Sequence, residues 1–222
     1  MENPVADAAD KGVSGVDGPV SRYLNRPVSR LISARVGDGP RSADDWSWIA
    51  FASTLVGALA FAIRLPRFGA LFVHAGSVLD GVDGEVARAQ GTAGPSGALL
   101  DLALDRTADV ALLGGLARGA GGRTTDWAAA LIAANGIVTA SVVKERLAAE
   151  AVAPVETQRI EAASGWQRLV MPLGSRDGRL LTIALLGVAR RPRLALWGLA
   201  ALSSLRLIER VRVARDRLTT QG

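Results

Sequence analysis

The chain has 222 residues, 49% of them hydrophobic, with 26 Lys and Arg against 21 Asp and Glu and a net charge of +5. It has no cysteine, which excludes a disulfide framework and a thiolate metal site. A basic soluble domain would point to nucleic acid, but long uncharged runs in a chain of positive mean hydropathy point instead to a membrane protein whose arginines face an anionic leaflet.

Residues 1–17 are polar, lack the apolar stretch of a signal peptide, and are expected to form a disordered tail. Residues 18–36 predict a juxtamembrane amphipathic helix. Val20, Tyr23, Leu24, Val28, Leu31 and Ile32 share helical spacing, while Arg22, Arg26 and Arg30 repeat every four residues on another face. Pro27 should kink it; an ordinary surface helix is the alternative. Residues 46–63 are uncharged and long enough to cross a bilayer, with Trp46 and Trp48 at the interface. After the turn Arg64-Leu-Pro-Arg67, apolar runs cover 68–79, 99–117 (broken by Asp101, Asp105, Arg106 and Asp109) and 127–143. A polar connection over 145–178 leads to two shorter runs, 180–189 and 194–205, on either side of Arg190-Arg-Pro-Arg193. The expected fold class is all-α and integral to the membrane, with six transmembrane helices behind the interfacial helix. Four spans plus a hairpin of short buried helices is the alternative. Arg22, Arg26, Arg30, Arg35, Lys144, Arg146, Arg210 and Arg212 place both termini in the cytoplasm, although the last external turn is unusually basic.

Between the second and third apolar runs stand Asp80, Asp83, Asp101 and Asp105. Spacings of three and four put each pair on one helix face, and adjacent antiparallel helices would bring the four together near the cytoplasmic side. Four ionised carboxylates in a low-dielectric site repel one another, and two divalent cations would neutralise them. Oxygen ligands favour magnesium, manganese or calcium over zinc, and a two-metal site serves phosphoryl chemistry. Gly81, Gly84, Gly94 and Gly97 would let a nucleotide approach the backbone, with Arg88 as a cation at the mouth. A solvated turn is the bland alternative, but ionisable residues flanked by apolar spans are costly and usually functional.

The spacing Asp80-x2-Asp83-Gly84-x2-Ala87-Arg88-x8-Gly97-x3-Asp101-x3-Asp105 resembles the signature of the CDP-alcohol phosphotransferases at every fixed position. The resemblance implies a six-helix domain over 43–217, embedded in the cytoplasmic membrane as a homodimer with its site facing the cytoplasm. It implies transfer of a substituted phosphate from a CDP-alcohol to an alcohol acceptor, with release of CMP. Asp80, Asp83, Asp101 and Asp105 would hold two Mg2+ or Mn2+ ions, and Asp105 would also be the general base. Asp83, Gly84, Ala87, Arg88 and Gly97 would bind the cytidine nucleotide. The commonest donor in the family is CDP-diacylglycerol, which makes phospholipid biosynthesis the leading expectation. The alternative is a soluble CDP-alcohol such as CDP-inositol, transferred to an inositol phosphate. Asp17-Gly-Pro-Val-Ser-Arg-Tyr-Leu-Asn-Arg-Pro and Ser175-Arg-Asp-Gly-Arg-Leu-Leu resemble the branch that makes di-inositol phosphodiesters. Where many relatives carry Pro-Asn-x-x-Thr, this chain has Asp45-Trp-Ser-Trp-Ile-Ala50, so that Ser47 and Ala50 replace the asparagine and threonine.

Lys144, Arg146, Arg168, Arg176 and Arg179 form a cationic group suited to a phosphorylated acceptor, or are loop arginines set by membrane orientation. His74 is expected to be a packed core residue, and Gly115-x3-Gly119 a loop feature rather than a helix-packing motif. A non-catalytic cation-binding protein or transporter is the rival class. The complete motif opposes it, as does the lack of the inverted repeats expected of a transporter. Nucleic acid is not an expected partner.

Overall fold

The computed structural model describes residues 20–37, 39–149 and 173–220, and every regular element among them is helical. The expected tail over 1–17, and Arg168, lie outside the described residues. A π-helical turn, Ser21–Asn25, leads into α1 (Arg26–Val36). Six further helices follow: α2 (Ala43–Ala62), α3 (Pro66–Ala89), α4 (Pro95–Gly119), α5 (Thr124–Ala149), α6 (Arg176–Val188) and α7 (Pro192–Thr220). Pro27 does not break α1. It sits in the first turn, where a missing N–H is tolerated, and the wider π turn ahead of it absorbs the change in winding.

Local chemistry sets the helix ends. Ser42 caps α2 in a reciprocal box: its hydroxyl accepts from the Asp45 N–H at 3.2 Å, and the Asp45 carboxylate accepts from the Ser42 N–H at 2.8 Å. The two basic turns stop α2 and α6 in the same way. Arg64 (φ 65°) and Arg190 (φ 58°) take the left-handed conformation, a cost of about 1–2 kcal/mol for a residue with a side chain. Backbone bonds from Leu65 to the Ala60 carbonyl (2.8 Å) and from Arg191 to the Leu186 carbonyl (2.7 Å) offset it by satisfying the last carbonyls. Arg193 has a further task. Its guanidinium holds Asp126, fully buried at the start of α5, at 2.9 Å, so this arginine of the turn has a structural role.

The helices match the expected apolar runs in number and order, but their lengths differ. α2 and the segment Thr124–Val143 of α5 are long and apolar enough to cross a membrane. α6 has only 13 residues and rises about 20 Å, short of a ~30 Å hydrocarbon core. α3 continues past the apolar run to Ala89, so that Asp80 and Asp83 share one helix, as their spacing predicts. The outward surface is apolar, with Leu59, Leu71, Leu131, Leu185 and Trp197 exposed, the reverse of what a soluble monomer tolerates.

The core centres on α2, α4, α6 and α7, where Phe61, Leu112, Leu116, Leu180, Leu196 and Leu199 are fully buried. α2 packs along both α3 and α4, whereas α3 and α4, though consecutive, do not pack along one another. Close packing of α4 on α2 depends on Gly115 and Gly119. A Cβ added at either would overlap a carbonyl oxygen of α2, that of Ala58 or of Phe61. The Gly115-x3-Gly119 pair is therefore a helix-packing motif, correcting the loop expectation, because α4 extends to its second glycine. Gly115→Val should destabilise by about 1–3 kcal/mol, read as a lower unfolding temperature in detergent. Gly114→Ala, where a new Cβ meets only the Trp127 ring at 3.9 Å, should leave that temperature unchanged.

Candidate active site

The splay of α3 and α4 creates the site. Asp80 and Asp83 face the gap from α3, and Asp101 and Asp105 from α4, so the carboxylates meet across a space rather than through the packed helix pair expected. One oxygen from each of Asp80, Asp101 and Asp105 lies within 4.8 Å of the other two. That set of hard carboxylate donors fits a divalent cation such as magnesium or manganese. Asp83 stands beside the trio. Its carboxylate accepts from the Ser47 hydroxyl at 2.6 Å and from the Gly84 N–H at 2.5 Å. Ser47 thus holds an aspartate of the motif, and Ala50 contributes only its backbone carbonyl, to the Thr54 hydroxyl at 3.1 Å.

The N-terminus of α6 supplies the counter-charge. The Arg176 guanidinium bridges Asp80 at 2.5 Å and Asp105 at 2.6 Å, tying α3 to α4 through a third helix. One turn on, Arg179 reaches Asp109 at 2.9 Å and the Gly174 carbonyl at 3.2 Å; Arg106 closes on the same Asp109 oxygen at 3.0 Å. Of the described side chains expected to bind the acceptor, only that of Arg176 touches the carboxylate cluster. Arg179 is buried and engaged by Asp109. Arg146 is exposed near the end of α5, and the side chain of Lys144 lies outside the described residues. His74 is half-buried and borders neither pocket of the site.

Two pockets share Asp83, Gly84 and Asp101. The larger, about 420 Å³, is lined by all five residues expected to bind nucleotide: Asp83, Gly84, Ala87, Arg88 and Gly97. A Cβ at Gly84 would meet only the Arg88 guanidinium at 3.5 Å, and one at Gly97 only the Asp44 carboxylate at 3.8 Å, so both glycines leave the groove open. Gly81 differs from the expectation. Its missing Cβ makes room for Ser29 of α1, which would lie 3.0 Å away. The smaller pocket, about 240 Å³, lies on the α1 side and includes Asp80 and Asp177.

Composition and motif reading missed what closes this second pocket. Ser21, Asn25, Ser29 and Ser33 repeat every four residues along the π turn and α1, and the first three are buried. Glu85 of α3 accepts from Ser33 at 2.6 Å, Ser29 at 2.9 Å and Arg26 at 3.2 Å. Asn25 reaches Ser77 and Asp177. The signal was present as a small polar stripe opposite the apolar one, on a face that periodicity would assign to solvent.

The profile of the CDP-alcohol phosphatidyltransferase family matches residues 46–189. The chain belongs to that family. Its members named in similar proteins are transferases and synthases. A bifunctional IPC transferase and DIPP synthase of Rubrobacter xylanophilus is 38% identical over 89% of this chain. The chain spans 43% of that protein's length, and 24% of a protein of the same name from Aquifex aeolicus at 42% identity over 49% of the chain. The archaetidylinositol phosphate synthase of Pyrococcus horikoshii is 26% identical, over 77% of this chain and 81% of its own. The fold is shared with Mycobacterium tuberculosis phosphatidylinositol phosphate synthase, crystallised with CDP-DAG bound. That structure has a TM-score of 0.62 and 23% identity, over 86% of this chain and 93% of that one. A second structure of the synthase, in complex with manganese and citrate, gives a TM-score of 0.61 at 22% identity, covering 86% and 88%.

The pairing of Arg179 with Asp109 makes a stability test. Arg179→Met leaves the buried Asp109 carboxylate with Arg106 alone and should cost about 1–3 kcal/mol, read as a fall in unfolding temperature.

Proposed function

We propose that this family member transfers a substituted phosphate from a CDP-alcohol to an alcohol acceptor and releases CMP. One observation carries the reading: the groove lined by the nucleotide residues of the motif and the carboxylate trio meet at Asp101, with Asp83 beside both. In this reading Asp83, Gly84, Ala87, Arg88 and Gly97 bind the cytidine nucleotide, Arg88 placing its cation at the groove wall. Asp80, Asp83, Asp101 and Asp105 hold two divalent cations, magnesium or manganese. When bound, these cations draw charge from the donor's phosphates and stabilise the departing CMP. Asp105 takes the proton of the acceptor hydroxyl as the new O–P bond forms and the bond to CMP breaks. Ser47 keeps Asp83 oriented by its hydrogen bond. Arg176 balances Asp80 and Asp105 and lies where a phosphorylated acceptor must approach.

A soluble, hydroxyl-rich donor such as CDP-inositol fits the smaller pocket best, because every residue lining it is polar, charged or glycine. The name of the Rubrobacter relative supports this choice, since the portion shared with this chain carries the family match. The second reading, transfer of a phosphatidyl group from CDP-diacylglycerol, draws on the apolar outer surface and on the fold shared with a CDP-DAG-bound synthase. Either way the chain works within a bilayer as a multi-pass protein, its termini and site on the cytoplasmic side, and as a homodimer like the family it resembles.

CMP release by the purified protein with Mg2+, offered CDP-inositol or CDP-diacylglycerol with a panel of acceptors, tests the reaction. Release with either donor supports the transfer reading, and the donor used decides between the two classes. No release with any pair sinks it. Asp105→Asn should lower turnover by about 10²–10⁴-fold while the protein still elutes as a folded species. Excess chelator should abolish activity, and Mg2+ or Mn2+ should restore it. Full activity in chelator would remove the cations from the mechanism.

A further inference from the structure

Two segments 152 residues apart in sequence meet at the smaller pocket, Asn25 from the π turn and Asp177 from the start of α6. The Asn25 amide nitrogen donates to the Ser77 hydroxyl at 2.9 Å and to the Asp177 carboxylate at 3.4 Å, while Ser77 donates to the same carboxylate oxygen at 3.2 Å. A carboxylate only accepts, so the nitrogen of the amide must be the end that faces Asp177, and the oxygen is turned away. Asn25 is only 3% exposed. Its Oδ1 has no hydrogen-bond partner among the described residues. A buried acceptor left without a donor is destabilising and rare. It persists here on the wall of a cavity, beside a π-helical turn of the kind that recurs at functional sites.

The cavity holds about 240 Å³, below the ~300–1,000 Å³ of sites for drug-sized ligands. It suits a compact group rather than acyl chains. Asn25 Oδ1 and the Asp177 carboxylate are acceptors that ask for hydroxyl hydrogens. An apolar occupant would desolvate both and return nothing. Asp80, Asp83 and Asp101 line the same cavity, so a group seated here lies beside the carboxylates assigned to the reacting phosphate.

We propose that Asn25, Ser77 and Asp177 form a hydroxyl-reading subsite for a polyol, in which Asn25 accepts one ring or chain hydroxyl and Asp177 a second, with Ser77 fixing the amide. The proposal rests on the transfer reading above and adds the residues that select the alcohol. The polyol is carried by the CDP-linked donor or by the acceptor, and both present the same chemistry.

The test is calorimetric binding to the full chain in nanodiscs with Mg2+, using CMP, CDP-inositol and inositol phosphate as probes, for the native protein and for Asn25→Leu. If the donor carries the polyol, CDP-inositol binds the native protein at least 10-fold tighter than CMP. Asn25→Leu erases that advantage and leaves CMP within twofold. If the acceptor carries it, CDP-inositol and CMP bind alike, and Asn25→Leu weakens inositol phosphate at least 10-fold. Unchanged affinities for both polyol probes in Asn25→Leu overturn the subsite, as does a native protein that gains nothing from either polyol. Should Asn25→Leu lose CMP as well, Ser77→Ala decides: a threefold or greater loss on the polyol arm with CMP unchanged supports the subsite, and no loss overturns it. Failure of the native protein to bind CMP at all is a different result. It overturns the nucleotide groove, while Asn25-dependent binding of inositol phosphate would still stand.

Discussion

Arg176 carries the constraint on which the site depends. Asp80 and Asp105 stand on helices that do not pack on each other, and the guanidinium of a third helix reaches both. Carboxylates this close, inside a bundle with an apolar exterior, require compensating positive charge. The forked guanidinium of arginine supplies it in one side chain, one nitrogen to each carboxylate. α6 is short because its work is done at its first turn, where Arg176, Asp177 and Arg179 all face inward within four residues. Its remaining turns anchor that end through Leu180 and Ile183 in the core.

The gap between α3 and α4 follows from the same economy of contacts. α2 is the common support: Gly115 and Gly119 let α4 approach its backbone, Gly57 lets α3 approach where it crosses, and Gly69 of α3 makes room for the Phe61 ring. Small residues fix those two contacts and leave the charged halves of α3 and α4 apart. The space becomes two pockets with a shared wall of Asp83, Gly84 and Asp101. The smaller is completed by α1, clamped by Glu85 through two serines and an arginine.

What the sequence made legible was local. The aspartate motif depends on spacings of three and four along a helix, and those survive in any tertiary context. The helices were found because their apolar runs are long. Their ends were not, since the lower half of α3 carries Asp80, Asp83, Glu85 and Arg88, so that the apolar run stops at 79 although the helix continues to Ala89. The meaning of individual cations was the least visible. Arg179 looked like an acceptor ligand, and Arg193 like an external charge, until their buried partners Asp109 and Asp126 came into view. Arg179 and Asp109 lie 70 residues apart, Arg193 and Asp126 67, and no periodicity reports such pairs. Asn25 was overlooked for the same reason, although both segments that form its pocket had drawn notice for their likeness to one branch of the family.

α1 is inside out by the standards of a water-soluble protein. Together with the π turn ahead of it, it turns Ser21, Asn25 and Ser29 toward the bundle and leaves Tyr23, Leu24, Val28 and Leu31 exposed. In water that arrangement gains only the packing of Ile32 and Val36 on Trp46, Val82 and Val86, because the polar side loses hydration for hydrogen bonds of similar strength and the rest of the greasy side stays wet. At a lipid surface the balance reverses, since the hydrocarbon side is covered without disturbing the serine stripe. A lipid surface on that side would hold in place one wall of the smaller pocket, the one built by Ser21, Asn25 and Arg26.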